Sequence, residues 1–536
     1  MVERIGTASD PQSLVQKLEL RQTGRAGQRS DPPARYLIVP GAKEAASIDA
    51  GLRRLLPDEP FDIARTPDGE VILAFTARTF RLGDAFAAAD AARALGHSLA
   101  SELGATVVEP DLPRASAPAQ PPDTKGLESI DHFPPGCWAW EERELEDRKW
   151  ALHAIGVPEA WALSEKCGRP SRGKGIVIAQ PDTGVATHAE LDGVTRADGF
   201  NTLGDGPEND ATDPLDGGLA ANPGHGTATA SVVVSPDHGR DDEVVGSAPL
   251  ALHLPIRAIR SVWLHEEIPI ARAVDRAVEA GAHVITMSLG GAPLPFSPLR
   301  RAIRRAVARH VIVMAAAGNC VGVVVCPARF DECIAVAGTD SAGQKWRGSC
   351  SGFAVDISAP GQNVYRASVE PRPGGSVGQG QGTSFAVALT AGVAACWLAH
   401  HGRDHLIAEA EKHGETLQAM FRRLVRASAH RPPEWDGANM GAGIVNALKL
   451  IEAPLDQERG LESGAFEPRE RAPADELRAF LTELLGTDPG LTDGFILAHG
   501  TELASALLAR KLHPGSGIPL SPALRSGLTG PAKALF

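Results

Sequence analysis

The hydrophobic positions in the N-terminal part of the chain form four short apolar runs of strand length and two longer segments of helical length. Strands are predicted at residues 36–39, 61–65, 71–75 and 106–108, and helices at residues 45–56 and 82–103. The polar residues 66–70, which contain Pro-Asp-Gly, predict a hairpin turn between the two middle strands. The resulting β-α-β-β-α-β order predicts a small α+β, ferredoxin-like domain.

From residue 150 onward, apolar strands alternate with helices as far as residue 452. Strands are predicted at residues 175–179, 251–257, 283–287, 311–315, 334–337 and 355–357, and helices at residues 268–280, 300–309 and 383–398. Alternation of this kind predicts a parallel sheet with helices on both faces, which is a three-layer α/β/α domain.

Changes in composition divide the chain into five parts. The predicted parts are a loose polar segment at residues 1–30, the α+β domain at 31–113, a Pro- and Ala-rich linker at 114–149, the α/β/α domain at 150–452 and a helical extension at 453–536. In the extension, Leu477, Phe480 and Leu481 have helical spacing and predict an amphipathic helix, and residues 501–512 predict a second one. Because their apolar faces are short, we expect both helices to pack on the preceding domain.

The composition is that of a globular protein, with 536 residues of which 43% are hydrophobic and 22% are charged. The formal net charge of −13 argues against a nucleic-acid-binding surface. The N-terminal residues contain no apolar stretch of signal-peptide length, and the longest apolar runs are too short for a membrane span. We therefore expect a cytoplasmic protein that binds neither nucleic acid nor membrane, and non-classical export stays open.

The chain contains seven cysteines, and an odd number leaves at least one thiol unpaired. No C-x-x-C pair occurs, which argues against a zinc site. Cys320 and Cys326 are close enough in sequence to bridge a loop, whereas free thiols are expected if the protein stays in a reducing compartment. Both alternatives stay open at this point.

Three short segments in the α/β/α domain carry an acid, a base and a nucleophile in that order. They are Pro-Asp-Thr-Gly-Val at residues 181–185, Gly-His-Gly-Thr at 224–227 and Gly-Thr-Ser-Phe-Ala at 382–386. Asp182 follows an apolar strand, His225 begins a small apolar helix, and Ser384 begins a long one. A histidine can take the proton of a serine hydroxyl while an aspartate orients the ring, so together these side chains can attack an amide carbonyl.

Asn319 follows a predicted strand, at a place where its amide can donate to a developing oxyanion beside the Ser384 N–H. Taken alone, each of the four residues has an ordinary explanation: a turn Asp, a surface His, an N-cap Ser and a turn Asn. Their joint occurrence in this order favours a hydrolase. The order excludes an α/β-hydrolase, whose serine comes first in G-x-S-x-G. Neither G-x-G-x-x-G after the first strand nor a P-loop occurs, which argues against a nucleotide-binding protein.

These segments resemble the motifs of the subtilisin-like serine proteases (subtilases, peptidase family S8), and the resemblance covers residues 150–452. Ser-Leu-Gly-Gly at residues 288–291 and Ala-Ala-Gly-Asn at residues 316–319 extend it. The resemblance implies a subtilisin-like catalytic domain that hydrolyses peptide bonds of proteins or peptides through an acyl-enzyme. It also implies that no cofactor is required for the chemistry.

The resemblance further implies roles for individual residues. Asp182, His225 and Ser384 would form the catalytic triad, and Asn319 would donate to the oxyanion. The segment after residue 287 would pair with the substrate backbone and, together with the segment before Asn319, would form the wall of the pocket. The substrate-binding residues implied in this way are Ser288, Leu289, Gly290, Ala316 and Gly318.

The N-terminal α+β domain resembles the inhibitor-type propeptide of this family, which implies a zymogen with an intramolecular inhibitor and self-cleavage within residues 109–130. An unrelated ferredoxin-like domain is the alternative, because that fold serves many functions. Residues 235–243 replace a loop that often binds calcium in the family, and their acids leave a structural calcium open. A catalytically silent, subtilase-like binding module is the second hypothesis for the whole chain, and fluorophosphonate labelling of the serine would discriminate.

Overall fold

The computed structural model describes residues 33–40, 45–57, 60–65, 73–81, 85–111, 145–215, 222–262, 266–369, 375–457, 472–512 and 520–534. The segment predicted to be loose at residues 1–30, the hairpin turn predicted at 66–70 and nearly all of the linker predicted at 114–149 lie outside the described residues. The division of the chain into five parts therefore stays a prediction.

The front module (residues 33–111) is an antiparallel sheet covered by two helices. Its strands are β1 (Pro33–Val39), β2 (Phe61–Arg65), β3 (Leu73–Arg81) and β4 (Val107–Pro110), and its helices are α1 (Ala45–Leu55) and α2 (Ala85–Leu103). The strand order is β2-β3-β1-β4, with antiparallel neighbours. Tyr36 and Ile38 of β1 share one buried core with Leu52 of α1 and Leu99 of α2. The observed element order is the predicted one.

A parallel sheet of seven described strands forms the centre of the larger unit. The strands are β5 (Val177–Asp182), β6 (Phe200–Asn201), β7 (Leu252–Arg257), β8 (Val284–Met287), β9 (Ile312–Ala316), β10 (Ile334–Thr339) and β11 (Ile357–Pro360). Their order is β11-β10-β9-β8-β5-β7-β6. Because both faces are covered, the strands are apolar almost throughout, which explains why the apolar runs predicted them. From β5 the chain passes to the edge strand β6 and returns to β7, whereas from β8 it continues through β9 and β10 to the opposite edge. The direction of winding therefore reverses between β5 and β8, and their carboxyl ends form a topological switch point.

Helices pack on both faces of this sheet. They are α3 (Trp150–Ala154), α4 (Val157–Lys166), α5 (His225–Val234), α6 (Glu267–Glu279), α7 (Pro298–Ala308), α8 (Thr383–His401), α9 (Arg403–Lys412), α10 (Leu417–Ala427) and α11 (Ala447–Glu452). Helix α8 is long and apolar enough to cross a membrane, but 94% of its most apolar window is buried inside the structure. It is therefore the core helix of this unit.

The C-terminal extension is helical and packs on the larger unit, as predicted. It contains α12 (Pro473–Leu485), α13 (Asp493–Leu512), α14 (Pro522–Gly527) and α15 (Gly530–Lys533). Leu477 and Phe480 of α12 lie in the same hydrophobic cluster as Ile303 of α7. Arg300 of α7 adds an ion pair to Glu476, with 2.7 Å between guanidinium nitrogen and carboxylate oxygen.

Several observations differ from the sequence-based expectations. Strand β6 and helices α3, α4, α9, α10 and α11 were not predicted. An antiparallel hairpin of β12 (Val364–Ser368) and β13 (Ser376–Gly380) was not predicted. Cys320 forms a disulfide, whereas Cys326 is a buried free thiol. The bridge between Cys320 and Cys326 is therefore wrong, and the expected free thiols are found at five described cysteines but not at Cys320: Cys167, Cys326, Cys333, Cys350 and Cys396. Cys326 is unavailable because its side chain lies in the apolar core and its backbone pairs with Gly291.

Candidate active site

Asp182 ends strand β5 and lies at the carboxyl edge of the sheet, at the switch point. Its side chain is buried, with an exposed fraction of 1%. The carboxylate Oδ1 accepts the Thr183 N–H at 2.7 Å and lies 2.8 Å from Nδ1 of His225, and Oδ2 accepts the Thr229 hydroxyl at 3.2 Å. These three donors hold the carboxylate in one orientation, facing the imidazole.

His225 is the first residue of α5, and its ring lies between an acid and a hydroxyl. Its Nε2 lies 3.2 Å from Oγ of Ser384. The start of α5 packs tightly on the turn that follows Asp182, because a Cβ at residue 226 would collide with the carbonyl oxygen of Gly184. Glycine at position 226 therefore allows the base to approach the acid.

Ser384 lies in the first turn of the core helix α8, and its side chain is almost completely buried. The burial of the rest of α8 fixes the position of this hydroxyl. The backbone oxygen of Ser384 accepts the hydroxyl of Ser288 at 3.1 Å, which connects the helix to the loop after β8. A helix N-terminus also provides free N–H groups and a partial positive field at the hydroxyl.

Asn319 lies beside the same helix start. Its Oδ1 accepts both the backbone N–H of Thr383, at 2.9 Å, and the Thr383 hydroxyl, at 2.8 Å. Because the N–H group can only donate, Oδ1 must face Thr383, and this fixes the orientation of the amide. The amide nitrogen lies on the side of Gly382, 3.5 Å from the position of a Cβ built there.

A second buried carboxylate, Asp213, lies behind this arrangement and was not predicted. It accepts the Thr183 hydroxyl at 2.7 Å and the Gly224 N–H at 2.7 Å, and the Thr183 hydroxyl in turn accepts the Gly226 N–H at 3.0 Å. These bonds join the turns that carry the acid and the base. Burial raises the pKa of Asp213, and the bonds from Thr183 and Gly224 oppose that shift. No sequence pattern marks Asp213, because it lies in a polar stretch with several other acids.

Two of the residues predicted to bind the substrate, Gly290 and Gly318, approach Val325 closely. A Cβ at Gly318 would lie 2.8 Å from Cγ2 of Val325, and a Cβ at Gly290 would come still closer to it. The side chains of Leu289 and Ala316 are buried in the two large hydrophobic clusters, so only their backbone can face a substrate. The structure therefore brings the two predicted wall segments together around one valine.

Two acids of the loop at residues 235–243, Asp237 and Glu243, have partners within the protein. Asp237 lies 3.5 Å from Nζ of Lys149 and 3.3 Å from the guanidinium of Arg172. Glu243 is fully buried and accepts backbone N–H groups of its own loop. These contacts stabilise both carboxylates without a bound cation.

Comparisons with known proteins place this geometry in a family. The family model described as Subtilase family matches residues 173–441. Thermitase of Thermoactinomyces vulgaris is 33% identical over 262 residues, which cover 48% of this chain and 85% of thermitase. Subtilisin Savinase of Lederbergia lenta is 30% identical over 278 residues, which cover 50% of this chain and 93% of that protein.

The fold agrees with a solved structure as well. Fervidolysin from Fervidobacterium pennivorans aligns with a TM-score of 0.56 at 19% identity, over 81% of this chain and 62% of that one. At this identity the likeness supports the fold, which is the predicted three-layer α/β/α arrangement. The matched residues 173–441 include all seven strands described for the parallel sheet. The chain belongs to the subtilase family (peptidase family S8) and is a serine-type endopeptidase that needs no cofactor for catalysis.

Proposed function

We propose that this endopeptidase uses Ser384 as the nucleophile, His225 as the general base and Asp182 as the residue that orients and stabilises His225. One observation carries the proposal: the imidazole of His225 lies 2.8 Å from the carboxylate through Nδ1 and 3.2 Å from the hydroxyl through Nε2. A carboxylate can only accept, so Nδ1 carries the hydrogen and Nε2 offers its lone pair to the hydroxyl.

Peptide hydrolysis then proceeds in two stages. In the first, Nε2 of His225 takes the hydroxyl proton while Oγ of Ser384 attacks the carbonyl carbon, and the imidazolium returns that proton to the leaving amine. In the second, a water molecule gives a proton to the same Nε2 and attacks the acyl carbon. The bond between the acyl carbon and Oγ then breaks, and the imidazolium returns its proton to Oγ, which restores the serine. Asp182 stabilises the imidazolium in both stages.

The oxyanion of each tetrahedral intermediate is assigned to two donors, the Nδ2 group of Asn319 and the backbone N–H of Ser384. The fixed orientation of the Asn319 amide supports this role, because Oδ1 is held by Thr383 and the amide nitrogen faces the start of α8. Donors that are already in place lower the barrier without reorganisation during the reaction.

The front module is proposed to be an intramolecular inhibitor. Helix α6 has no cap from its own sequence, and Asp111 of the module supplies one by accepting the N–H groups of Glu267 at 2.8 Å and Ile268 at 3.1 Å. Arg35 of β1 donates to the Leu203 carbonyl and pairs with Glu266 at 3.5 Å. These buried polar contacts support a specific docked position rather than a loose tether.

We further propose self-cleavage within residues 109–130, and the docking of the front module supports it. Residue 111 is bound at α6, and the chain beyond it must pass from the module to the catalytic unit. The segment after residue 111 lies outside the described residues, so the position of the cleaved bond stays a prediction.

The test compares the wild-type chain with Ser384→Ala after purification. Fluorophosphonate should label the wild type only, and N-terminal sequencing should find a cut within residues 109–130 in the wild type only. A labelled and uncut wild type would retain the serine assignment and overturn self-processing. An unlabelled wild type that carries no bound front module would favour the silent binding module instead.

A structural calcium in the loop at residues 235–243 also stays a prediction. If the loop binds calcium, EGTA should lower the Tm of the Ser384→Ala chain, and added calcium should restore it. An unchanged Tm would reject this site. The partners that its carboxylates already have within the protein would explain that result.

A further inference from the structure

A cluster of metal-binding side chains lies between the front module and the C-terminal extension, away from the catalytic residues. It contains His97 of α2 together with His499 and Glu502 of α13. One nitrogen of each ring and one carboxylate oxygen all lie within 4.8 Å of one another. His499 and Glu502 are three residues apart in one helix, so they lie on the same helix face.

The two rings offer nitrogen lone pairs in a sheltered position. The Nδ1 atom of His499 is buried and has no hydrogen-bond partner within the described residues. Its ring lies between those of His97 and Phe495, with both centroid distances at 4.7 Å. A neutral imidazole carries one ring nitrogen lone pair that can bind a metal.

We propose that His97, His499 and Glu502 bind a divalent transition-metal cation, with zinc as the best match. Two imidazoles and one carboxylate are a common set of zinc ligands, and water would complete the tetrahedron. Tetrahedral ligands at about 2.0–2.1 Å from zinc lie about 3.4 Å from each other, so small side-chain rotations close the site. The lack of a C-x-x-C pair argues only against a thiolate site.

Ser521 positions the Glu502 carboxylate, and the guanidinium of Arg93 lies close to it. Glu502 accepts the Ser521 N–H at 2.7 Å and the Ser521 hydroxyl at 2.9 Å, which fixes its orientation. The guanidinium of Arg93 lies 3.8 Å from the same carboxylate and competes with a metal for its charge. Removal of Arg93 should therefore strengthen metal binding, whereas removal of a ligand should weaken it.

The site joins two parts of the chain that are far apart in sequence. One ligand comes from the front module and two come from the extension, so a bound metal would connect α2 to α13. The metal site goes beyond the proposed function and does not rest on it. Its structural effect would be to hold the front module against the extension.

The experiment measures zinc binding to the full chain carrying Ser384→Ala, which keeps the polypeptide intact. Isothermal titration should find one zinc per chain, and Co²⁺ should produce the visible absorption of a tetrahedral nitrogen–oxygen site. His97→Ala and His499→Ala should each weaken zinc binding by about 100-fold or more, since even outer-shell losses cost about 10–100-fold. Arg93→Gln should strengthen it.

The matched control is His400→Ala, which removes a partly buried histidine from another pair of neighbouring imidazole rings, with His401. This control should bind zinc like the parent. Metal-free His97→Gln and His499→Gln chains should give the circular dichroism of the parent, which separates ligand loss from misfolding. The proposal is overturned if the parent binds no zinc, or if folded His97 and His499 variants bind it as tightly as the parent. Failure of the serine assignment would leave these measurements unaffected.

Discussion

Two buried carboxylates of this molecule stand in opposite surroundings. Asp182, in the active site, has three hydrogen-bond donors within 3.2 Å. Glu266, at the contact of the front module with α6, has an Oε1 atom that makes no hydrogen bond to the described part of the chain and faces Arg35 at 3.5 Å. Burial raises the pKa of Glu266 to about 7 against the attraction of Arg35, and the nearby Asp111 carboxylate adds to the rise.

Burial alone therefore does not make a polar contact permanent. A carboxylate with all its donors in place is costly to displace, whereas one with unfilled hydrogen bonds is costly to keep ionised. The active site follows the first pattern and the docking contact follows the second. We therefore expect the catalytic geometry to be insensitive to conditions under which the docking contact weakens.

The largest effect is expected within the well-satisfied network. His225→Ala should lower kcat by about 10⁶-fold, because the Ser384 hydroxyl loses its base. The matched control is His153→Ala, which removes an exposed histidine that also lies 2.8 Å from an aspartate, Asp147. Steady-state hydrolysis of a peptide measures both variants. A similar loss in the two would show that burial of the pair is irrelevant to catalysis.

Asn319→Ala should have the next largest effect, lowering kcat by about 10²–10³-fold with little change in KM. The reason is that the amide stabilises charge that develops only in the transition state. Asn439→Ala serves as the control, since its exposed amide donates to Asp436 at 2.8 Å instead. A change confined to KM would mean that Asn319 binds substrate and does not stabilise the oxyanion.

On the docking side, Asp111→Ala in the Ser384→Ala chain should speed hydrogen exchange at the Glu267 and Ile268 amides by roughly 5–30-fold. This corresponds to about 1–2 kcal/mol for the loss of a helix cap. Asp49→Ala is the matched control, because that exposed carboxylate pairs with Arg53 of its own helix. Unchanged exchange in Asp111→Ala would mean that the module is held without this cap.

The smallest expected effect is a change in the pH dependence of stability caused by Glu266. The pKa of Glu266 is raised from 4.5 to about 7 on folding, so its contribution is complete below 4.5 and is lost as pH rises through 7. Glu266→Gln should remove this loss and make the Ser384→Ala chain more stable than its parent at pH 8 but not at pH 5. Urea unfolding at pH 5 and pH 8 measures the difference, and Glu279→Gln at the exposed end of α6 is the control. Parallel pH profiles for Glu266→Gln and its parent would contradict the assigned pKa.

The parallel sheet and the candidate catalytic residues could both be predicted from the sequence, because both are marked by local patterns. Buried parallel strands are continuous apolar runs, and Asp182, His225 and Ser384 each stand next to such a run or begin a helix. The hairpin of β12 and β13 was missed because Ser376–Gly380 has few of the branched or aromatic residues that mark strands. Tertiary pairing, not propensity, makes it a strand.

The docking contact could not be predicted, because its members look like surface residues when read singly. Asp111 and the N–H groups that it caps are more than 150 positions apart, as their 2.8 Å bond spans a separation of 156. Helix α13 was predicted too short for a related reason. Gly494 and Gly500 weaken the helical pattern, yet Gly500 allows α13 to approach Leu477 of α12 closely.

The core helix α8 has a consequence for heat inactivation. Thr383 to Ala399 are all buried, so this helix has no face that can separate from the rest and leave the domain folded. A segment of this kind opens only when the whole cooperative unit melts. Because Ser384 stands on its first turn, the nucleophile should hold its place up to the calorimetric transition and lose it there, in a single event.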